Sequence, residues 1–238
     1  MALYSVEGII INTRNFGEAD KVVTIFAKEK GKVEAIAKSA RKIKSRKSSS
    51  IELLNYAKFS IAKGKNLDII TEIQLIDGFI TKLNPDFYNL VFYFSELLNK
   101  AFSVNKVEEN VWKNLIKLRS LFSKSPYLIT IKLQLFLLLE LGVLPNLLNC
   151  QICNKSLKQA RFARKNYVGY FCAEHKQNGF LIKDRYLKVQ NFLLHQNIEK
   201  LYKLQLDEND VNFLLELQNN WIECIIETQI KSYKLLYF

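Results

Sequence analysis

The fold of the N-terminal third follows from residues 21–38, which read KVVTIFAKEKGKVEAIAK. The first six of these are rich in valine, isoleucine and phenylalanine, the residue types that suit a half-buried strand. Lys30-Gly31-Lys32 then provides a turn. Beyond the turn, Val33, Ala35 and Ala37 alternate with charged residues, the period-two pattern of a strand with one wet face. The stretch therefore predicts a β-hairpin.

Further strands flank this hairpin. The composition predicts strands over Leu3–Ile11, Ile51–Ile61 and Leu67–Ile76, with the last two joined by a turn at residues 63–66. Five strands in about 75 residues with glycine at the corners are typical of a small barrel of the OB type. A five-stranded open sheet is the alternative.

Downstream of Asn84-Pro85 the hydrophobic period changes from two to that of a helix. Helices are predicted over residues 87–98, 111–122, 127–141, 184–196 and 208–233. The third is capped by Gly142 at its C-terminus. The fold class is therefore α+β: an OB-type barrel over 1–80 and a helical domain over 81–149 and 184–238. The segment inserted at 150–183 holds Cys150, Cys153, Cys172 and His175, whose spacing makes it a predicted zinc-knuckle segment.

Composition and charge narrow the classes of partner. With 49% hydrophobic residues the chain is not expected to be disordered. The net charge is +12, and the excess lies in residues 1–80 (14 basic, 9 acidic) and 150–183 (7 basic, 1 acidic). Such a balance favours nucleic acid as partner, with an anionic membrane second. No membrane span is predicted, because Glu140 and Pro145 interrupt the longest apolar run. No secretory leader is predicted, because the first residues carry no basic group and Glu7 lies in the first apolar stretch. We expect a cytosolic protein.

Four residues have metal-ligand spacing. Cys150-Gln-Ile-Cys153 is followed eighteen residues later by Cys172-Ala-Glu-His175. Two intervening residues let a knuckle turn direct both side chains at one ion, and two knuckles supply four tetrahedral ligands. The pattern predicts one structural Zn²⁺ per chain, with no position left open for substrate. Chance clustering and a redox Cys-x-x-Cys are the alternatives.

Two residues outside this pattern serve as comparisons. Cys224 lies in a predicted apolar helix and is expected to be a core residue rather than a ligand. His195, near a helix end, has no evident second ligand and is expected to be a surface or packing residue.

The basic segment, residues 38–47, holds six cations between two predicted strands. OB barrels bind single strands across a groove flanked by their loops, where cations follow phosphates and aromatic rings stack on bases. The predicted DNA-binding residues are those of the basic segment with two from neighbouring strands: Lys38, Arg41, Lys42, Lys44, Arg46, Lys47, Arg14 and Lys21. A solvated, disordered charge run is the alternative.

Other residues are weaker candidates for nucleic-acid contact. The possible stacking residues are Tyr4, Phe16, Tyr56 and Phe59. A third basic patch, Lys158, Arg161, Arg164 and Lys165, either extends the nucleic-acid footprint or only solubilises the predicted zinc segment.

Sequence patterns of catalysis are missing. The chain has no Gly-x-x-x-x-Gly-Lys-Ser/Thr loop for nucleotide phosphates, no Gly-x-Ser-x-Gly elbow and no His-Glu-x-x-His. Two histidines, one of them a predicted zinc ligand, leave little for acid–base chemistry. The chain is therefore predicted not to be an enzyme and not to bind nucleotide. A zinc-containing RNA-binding or transcription-associated protein remains the alternative to a DNA-binding one.

Several stretches together resemble the bacterial RecO family of DNA repair proteins. They are residues 7–24 (EGIIINTRNFGEADKVVT), Gly31-Lys-Val33, residues 37–42, residues 70–77, Leu139–Gly142 and the Cys-x-x-Cys beyond it. They occur in family order along essentially the whole chain.

This resemblance implies a recombination mediator in the cytoplasm, associated with the bacterial nucleoid. A member binds single- and double-stranded DNA and anneals complementary strands without ATP. With RecR it helps RecA replace single-stranded-DNA-binding protein. Two positions depart from the family pattern: Ser39 stands where glycine is usual, and His175 where the fourth ligand is commonly cysteine. The first is expected to change the backbone conformation of the loop, and the second to change the metal affinity rather than the metal identity.

Overall fold

A computed structural model describes residues 2–42, 48–80, 83–102, 109–158, 161–196, 200–201 and 204–236 of the chain. It divides into two compact units, residues 1–123 with 234–238, and residues 124–233. Within the described ranges, no helix combines the length and the apolar character needed to cross a lipid bilayer.

Five strands form the core of the first unit. They are β1 (Leu3–Phe16), β2 (Asp20–Ala27), β3 (Gly31–Ala37), β4 (Tyr56–Ala62) and β5 (Asp68–Asp77). They close into a barrel in the order β1-β2-β3-β5-β4, antiparallel except for the β3–β5 pair. This confirms the predicted OB-type barrel over the open sheet. The interior is filled by small and branched side chains such as Ile10, Val23, Ala35 and Ile61.

The predicted hairpin is present, with β2 paired to β3 from Lys21–Ala37 to Ala27–Gly31. Gly31 has φ +68, a left-handed conformation that glycine adopts without steric cost. Two strand boundaries were wrong. β1 runs to Phe16 rather than Ile11, because pairing with β2 continues into its polar end. β4 starts at Tyr56 rather than Ile51, because a 3-10 turn at Ser49–Ile51 and a left-handed Leu54 (φ +60) precede it.

Two helices, α1 (Tyr88–Ala101) and α2 (Glu109–Leu121), complete this unit. Arg119 of α2 is 3% exposed and clamps α2 to the barrel. Its Nε donates to the Leu54 carbonyl at 2.6 Å, and its Nη1 and Nη2 reach Asp77 Oδ2 and the Asp77 carbonyl at 2.6 and 2.8 Å. Trp112 packs on Phe26, with ring centroids 6.4 Å apart.

The second unit holds three helices and a small sheet. The helices are α3 (Pro126–Glu140), α4 (Asp184–His195) and α5 (Glu208–Ile226), and the sheet has the order β7-β6-β8 from β6 (Phe162–Arg164), β7 (Tyr167–Phe171) and β8 (Phe180–Leu181). Buried Trp221 of α5 packs edge-on to Tyr170 of β7, at a centroid distance of 5.4 Å. The prediction that this helix continues to residue 233 was wrong: Glu227 turns left-handed (φ +51), and a 3-10 helix, Lys231–Leu236, follows.

Candidate functional site

Three cysteines and one histidine meet beside the small sheet. The ligand atoms of Cys150, Cys153, Cys172 and His175 all lie within 4.8 Å of one another, an arrangement that could hold a metal ion. The Cys153 and Cys172 sulfurs are 3.8 Å apart, and His175 Nδ1 lies 3.3 Å from the Cys172 sulfur and 3.9 Å from that of Cys150. The structure thus brings together the four residues that the spacing selects. We call them the Cys3His cluster.

Backbone hydrogen bonds shape the first knuckle. The Asn154 N–H donates to the Cys150 carbonyl at 2.9 Å, and the Cys150 N–H donates to the Lys155 carbonyl at 2.8 Å. Asn154 has φ +56, which lets the chain reverse directly after the second cysteine. These local bonds orient both sulfurs toward one point.

The β6–β7 hairpin positions the second knuckle. β7 ends at Phe171, Cys172 follows, and the His175 N–H donates to the Cys172 carbonyl at 3.0 Å. Gly169 in β7 has φ +112, and a Cβ there would lie 3.0 Å from the Gln151 side chain. Glycine at this position therefore allows the hairpin to approach the first knuckle.

The electrostatics of the cluster favour a thiolate at Cys150. Burial raises the pKa of this thiol, but hydrogen bonds from the backbone of Cys153, Cys172 and Ile152 outweigh that effect and lower it to about 6. A deprotonated sulfur is the form that binds metal. An exposed ion pair also links the two knuckles: Lys155 Nζ lies 3.0 and 2.9 Å from the two Glu174 carboxylate oxygens.

Neither comparison residue belongs to the cluster. His195 is exposed, and its Nδ1 lies 2.9 Å from the Asn191 carbonyl oxygen, as expected for a surface residue. The prediction that Cys224 is a core residue was wrong. It is exposed, and its thiol donates to the Asn166 carbonyl at 3.2 Å. Cys224 lies on the outward side of α5, a position that hydrophobicity alone does not reveal.

Five of the eight predicted DNA-binding residues lie in described parts of the chain, and all five sit at one end of the barrel. The Arg41 N–H donates to the Ala19 carbonyl at 2.9 Å, which joins the chain leaving β3 to the β1–β2 turn. The same two segments meet again where the Ser39 N–H donates to Asp20 Oδ1 at 2.7 Å. We call these five residues the basic end: Arg14, Lys21, Lys38, Arg41 and Lys42.

Four members of the basic end are exposed, whereas Lys21 is half-buried in β2. Lys44, Arg46 and Lys47 lie outside the described residues. Ser39 has φ +57, in the left-handed region that favours glycine.

The possible stacking residues differ in availability. Phe59 is fully buried in the barrel core, so the suggestion that it stacks on bases was wrong. Tyr4 and Tyr56 are half-buried and engaged, since their hydroxyls donate to Asp68 and Glu7 respectively. Phe16 is 41% exposed at the end of β1, next to the basic end. It is the suggested aromatic with the most accessible ring.

The third basic patch divides into two kinds of residue. Lys158 and Lys165 are exposed. Arg161 forms an ion pair with Asp184, and Arg164 is only 7% exposed. The two arginines therefore do not act as free solubilising charges.

Sequence reasoning missed two features of the first unit. One is the Arg119 clamp, for which the helical pattern of α2 gives no signal. The other is a cleft at the opposite end of the barrel, lined by Lys28, Lys30, Lys58, Glu7 and Glu29. Its cations come from two separate segments, the β2–β3 turn and β4, so no charge run marks it, and its two carboxylates nearly balance the three lysines.

A closed five-stranded barrel followed by a helical unit with a Cys3His cluster defines a class of two-part proteins with a possible metal module. Two family models cover nearly all of this chain. Residues 1–79 match the model described as recombination protein O N terminal, and residues 85–234 match recombination protein O C terminal. The chain therefore belongs to the RecO family of DNA repair and recombination proteins, which confirms the resemblance seen in the sequence.

Individual relatives agree over the full length. DNA repair protein RecO of Acetivibrio thermocellus is 26% identical over 246 residues, covering 100% of this chain and 96% of that protein. The protein of the same description from Clostridium perfringens is 29% identical, covering 100% of this chain and 99% of its own. That of Caldicellulosiruptor saccharolyticus is 27% identical over 237 residues.

Proposed function

We propose that this protein binds DNA through the basic end and the basic segment and anneals complementary strands without ATP. With RecR, it would help load RecA onto DNA coated by single-stranded-DNA-binding protein. The observation that carries the proposal is the joining of the β1–β2 turn to the chain leaving β3, which gathers five cations at one end of an OB-type barrel. Membership of the RecO family supports it.

The chemistry required is charge neutralisation and positioning. Two complementary strands repel each other through their phosphates, and cations that neutralise those phosphates lower the repulsion while pairing begins. Arg14, Lys38, Arg41 and Lys42 are exposed, with Arg41 Nη1 also donating to the Gly17 carbonyl at 3.3 Å, and Lys44, Arg46 and Lys47 would extend this surface. Phe16 offers an adjacent ring for base stacking. None of these roles consumes nucleotide, and the protein acts in the cytoplasm where the nucleoid lies.

We further infer that the Cys3His cluster holds Zn²⁺. Tetrahedral zinc, with bonds of about 2.3 Å to sulfur and about 2.0 Å to nitrogen, sets sulfurs about 3.8 Å apart and sulfur about 3.5 Å from nitrogen. Three of the six ligand pairs, at 3.8 Å between two sulfurs and at 3.3 and 3.9 Å from sulfur to nitrogen, lie close to these values, and all six are within 4.8 Å. Four protein ligands fill the ion's coordination, so the metal cross-links two knuckles and leaves catalysis no open position.

The test is annealing of two complementary strands, each coated with single-stranded-DNA-binding protein, in the absence of ATP. The protein should accelerate duplex formation. The triple variant Lys38→Ala, Arg41→Ala, Lys42→Ala should be severalfold slower. A matched control removes three exposed lysines elsewhere, Lys63→Ala, Lys65→Ala and Lys188→Ala, and should anneal like the unmodified protein.

Tight binding without acceleration would overturn the annealing proposal and favour an RNA-binding or transcription-associated protein. Equal rates for the triple variant and its control would overturn the assignment of the basic end. The partner roles are tested by adding RecR and RecA to coated gapped DNA and following RecA filament formation. RecA loading that is the same with and without this protein would contradict them.

A further inference from the structure

A cleft lies between α5 and the three-stranded sheet in the second unit. Arg164 and Lys165 line it from the end of β6, Phe180 from β8, and Glu216 and Asn220 from α5. It encloses about 130 Å³. That is below the roughly 300–1,000 Å³ of pockets that bury a whole small molecule. The cleft therefore suits one group of a longer ligand rather than a detached metabolite. We call it the Arg164 cleft.

Arg164 is a buried cation without a counterion. It is 7% exposed, and among the described residues no carboxylate pairs with it. Its Nη1 donates to Gln177 Oε1 at 2.9 Å, whereas Nε and Nη2 have no hydrogen-bond partner in the part of the chain that the structure describes. Buried polar groups are nearly always satisfied, and a buried charge is normally paired. An anion would satisfy both the unpaired charge and the two free donors.

The unsatisfied atoms define which anion fits. Nε and Nη2 form one edge of the guanidinium, and that edge donates two parallel hydrogen bonds to an oxyanion. The guanidinium lies 3.8 Å from the Phe171 ring centroid and 5.0 Å from that of Tyr167. These rings and Gln177 hold the plane in one orientation. Nε and Nη2 are themselves buried, so a ligand in the cleft reaches them when the side chains that cover them shift.

The other residues of the cleft suit a phosphate with an attached base. The Phe180 ring is 39% exposed and is held edge-on by Phe213 at a centroid distance of 6.0 Å, which gives a fixed apolar platform. Lys165 adds a second cation next to Arg164. Asn220 and Glu216 supply polar groups able to pair with the edge of a base. Residues 150–183 carry seven basic groups and one acidic group, which favours a polyanionic ligand.

We propose that the Arg164 cleft binds one phosphodiester of single-stranded DNA, with the attached base stacked on Phe180. This rests on the proposed DNA-binding function but places a second contact on the second unit, separate from the basic end. Arg164 and Lys165 hold the phosphate, and Phe180 holds the base.

The experiment measures single-strand affinity by fluorescence anisotropy at several salt concentrations. Phe180→Ala should weaken binding about fivefold or more, since stacking contributes about 1–3 kcal/mol per base. Arg164→Lys keeps the charge but loses the bidentate edge, and should weaken binding severalfold. Lys165→Gln should reduce the slope of log K against log salt by about 0.7, the value for one phosphate contact.

Two of the variants have a matched control nearby. Lys183→Gln removes an exposed lysine and is the control for Lys165→Gln. Leu181→Ala removes an exposed apolar residue of β8 and is the control for Phe180→Ala; both controls should bind like the unmodified protein. Unchanged melting temperature and metal content would confirm that every variant is folded. A strand carrying 5-iodouracil should photo-cross-link to the peptide that contains Phe180.

Two results would overturn the proposal while leaving the proposed function intact. In the first, the unmodified protein binds DNA, the basic-segment variants weaken it, and all cleft variants bind like their controls. In the second, Arg164→Lys and Phe180→Ala weaken binding of an acidic peptide but not of DNA, which would assign the cleft to a protein partner. Failure of the unmodified protein to bind any strand at low salt would overturn both proposals together.

Discussion

The Cys3His cluster and the basic end of the barrel are both assembled from separate segments, but the positions of their side chains are fixed to different degrees. The cluster groups four ligand atoms within 4.8 Å through backbone hydrogen bonds and a left-handed residue at Asn154. The segments of the basic end are joined by strand pairing and by the bonds from Arg41 and Ser39, but its long side chains are mostly exposed. A metal centre depends on the position of every ligand, whereas a phosphate-binding surface depends on summed charge.

The largest effect is expected from a cluster ligand. Cys150→Ser or Cys172→Ser should lose the metal and lower the free energy of unfolding by several kcal/mol, because metal binding is coupled to folding. Metal content by mass spectrometry and the thermal midpoint provide the measurement. Cys224→Ser is the matched control, since Cys224 is exposed and outside the cluster, and it should change neither quantity.

The role of His175 as the fourth ligand can be tested separately. His175→Ala should also release the metal, because three thiolates leave a tetrahedral ion incomplete. Retention of one zinc by this variant, with an unchanged thermal midpoint, would contradict His175 as the fourth ligand.

The basic segment should show the opposite behaviour, with a graded loss of binding and no loss of stability. About six phosphate contacts on a single strand correspond to a slope of log K against log salt near −4, at about 0.7 per contact. Each single replacement of Lys38, Arg41 or Lys42 by alanine should change that slope by about 0.7. Replacing all six basic residues of the basic segment by alanine should bring the slope of log K against log salt close to zero without changing the melting temperature. The measurement is a titration of labelled single strand from low to high salt, and an unchanged slope in the sixfold variant would contradict the assignment.

A smaller effect is expected at Ser39. A non-glycine residue in the left-handed region destabilises the folded state by about 1–2 kcal/mol. Replacement by glycine removes this strain, but part of the gain is offset because glycine gives the unfolded chain more conformational freedom. Ser39→Gly should therefore stabilise the protein by about 0.5–1 kcal/mol in urea unfolding and leave the salt slope unchanged. Destabilisation by this variant would mean that the serine side chain contributes a contact that offsets its backbone strain.

The smallest expected effect concerns acid. The hydrogen bond from the Tyr4 hydroxyl lowers the pKa of Asp68 at the start of β5, with the Gly64 N–H and nearby lysines acting in the same direction. A carboxyl whose pKa is lowered on folding stabilises the folded state at pH values above its ordinary pKa of about 4. That stability is lost as the pH falls through the lower pKa of the folded state.

Asp68→Asn should therefore narrow the difference in urea midpoint between pH 7 and pH 3. Glu72→Gln, an exposed change on the same strand, is the control and should leave the difference as it is. Equal narrowing by both variants would assign the effect to overall charge instead.

What the sequence predicts well is local. A turn glycine, a two-residue knuckle and an alternating strand each depend on neighbours a few positions away, so the β2–β3 hairpin and the grouping of cluster ligands follow from spacing. The direction of a side chain depends on packing between distant segments. That is why Phe59 is buried while Phe16 is exposed, and why Cys224 faces outward from an apolar helix. Arg119 and Arg164 acquire their environments only in the folded state.

The Arg119 clamp also determines how the chain can be divided. A fragment ending after β5 would leave the Leu54 carbonyl and the Asp77 carboxylate without their donor, and would uncover the Phe26 ring that Trp112 covers. An unpaired carbonyl at buried Leu54 and bare aromatic surface favour aggregation. Limited proteolysis should accordingly release the barrel with α2 still attached, and an expressed fragment meant to remain in solution should extend beyond α2.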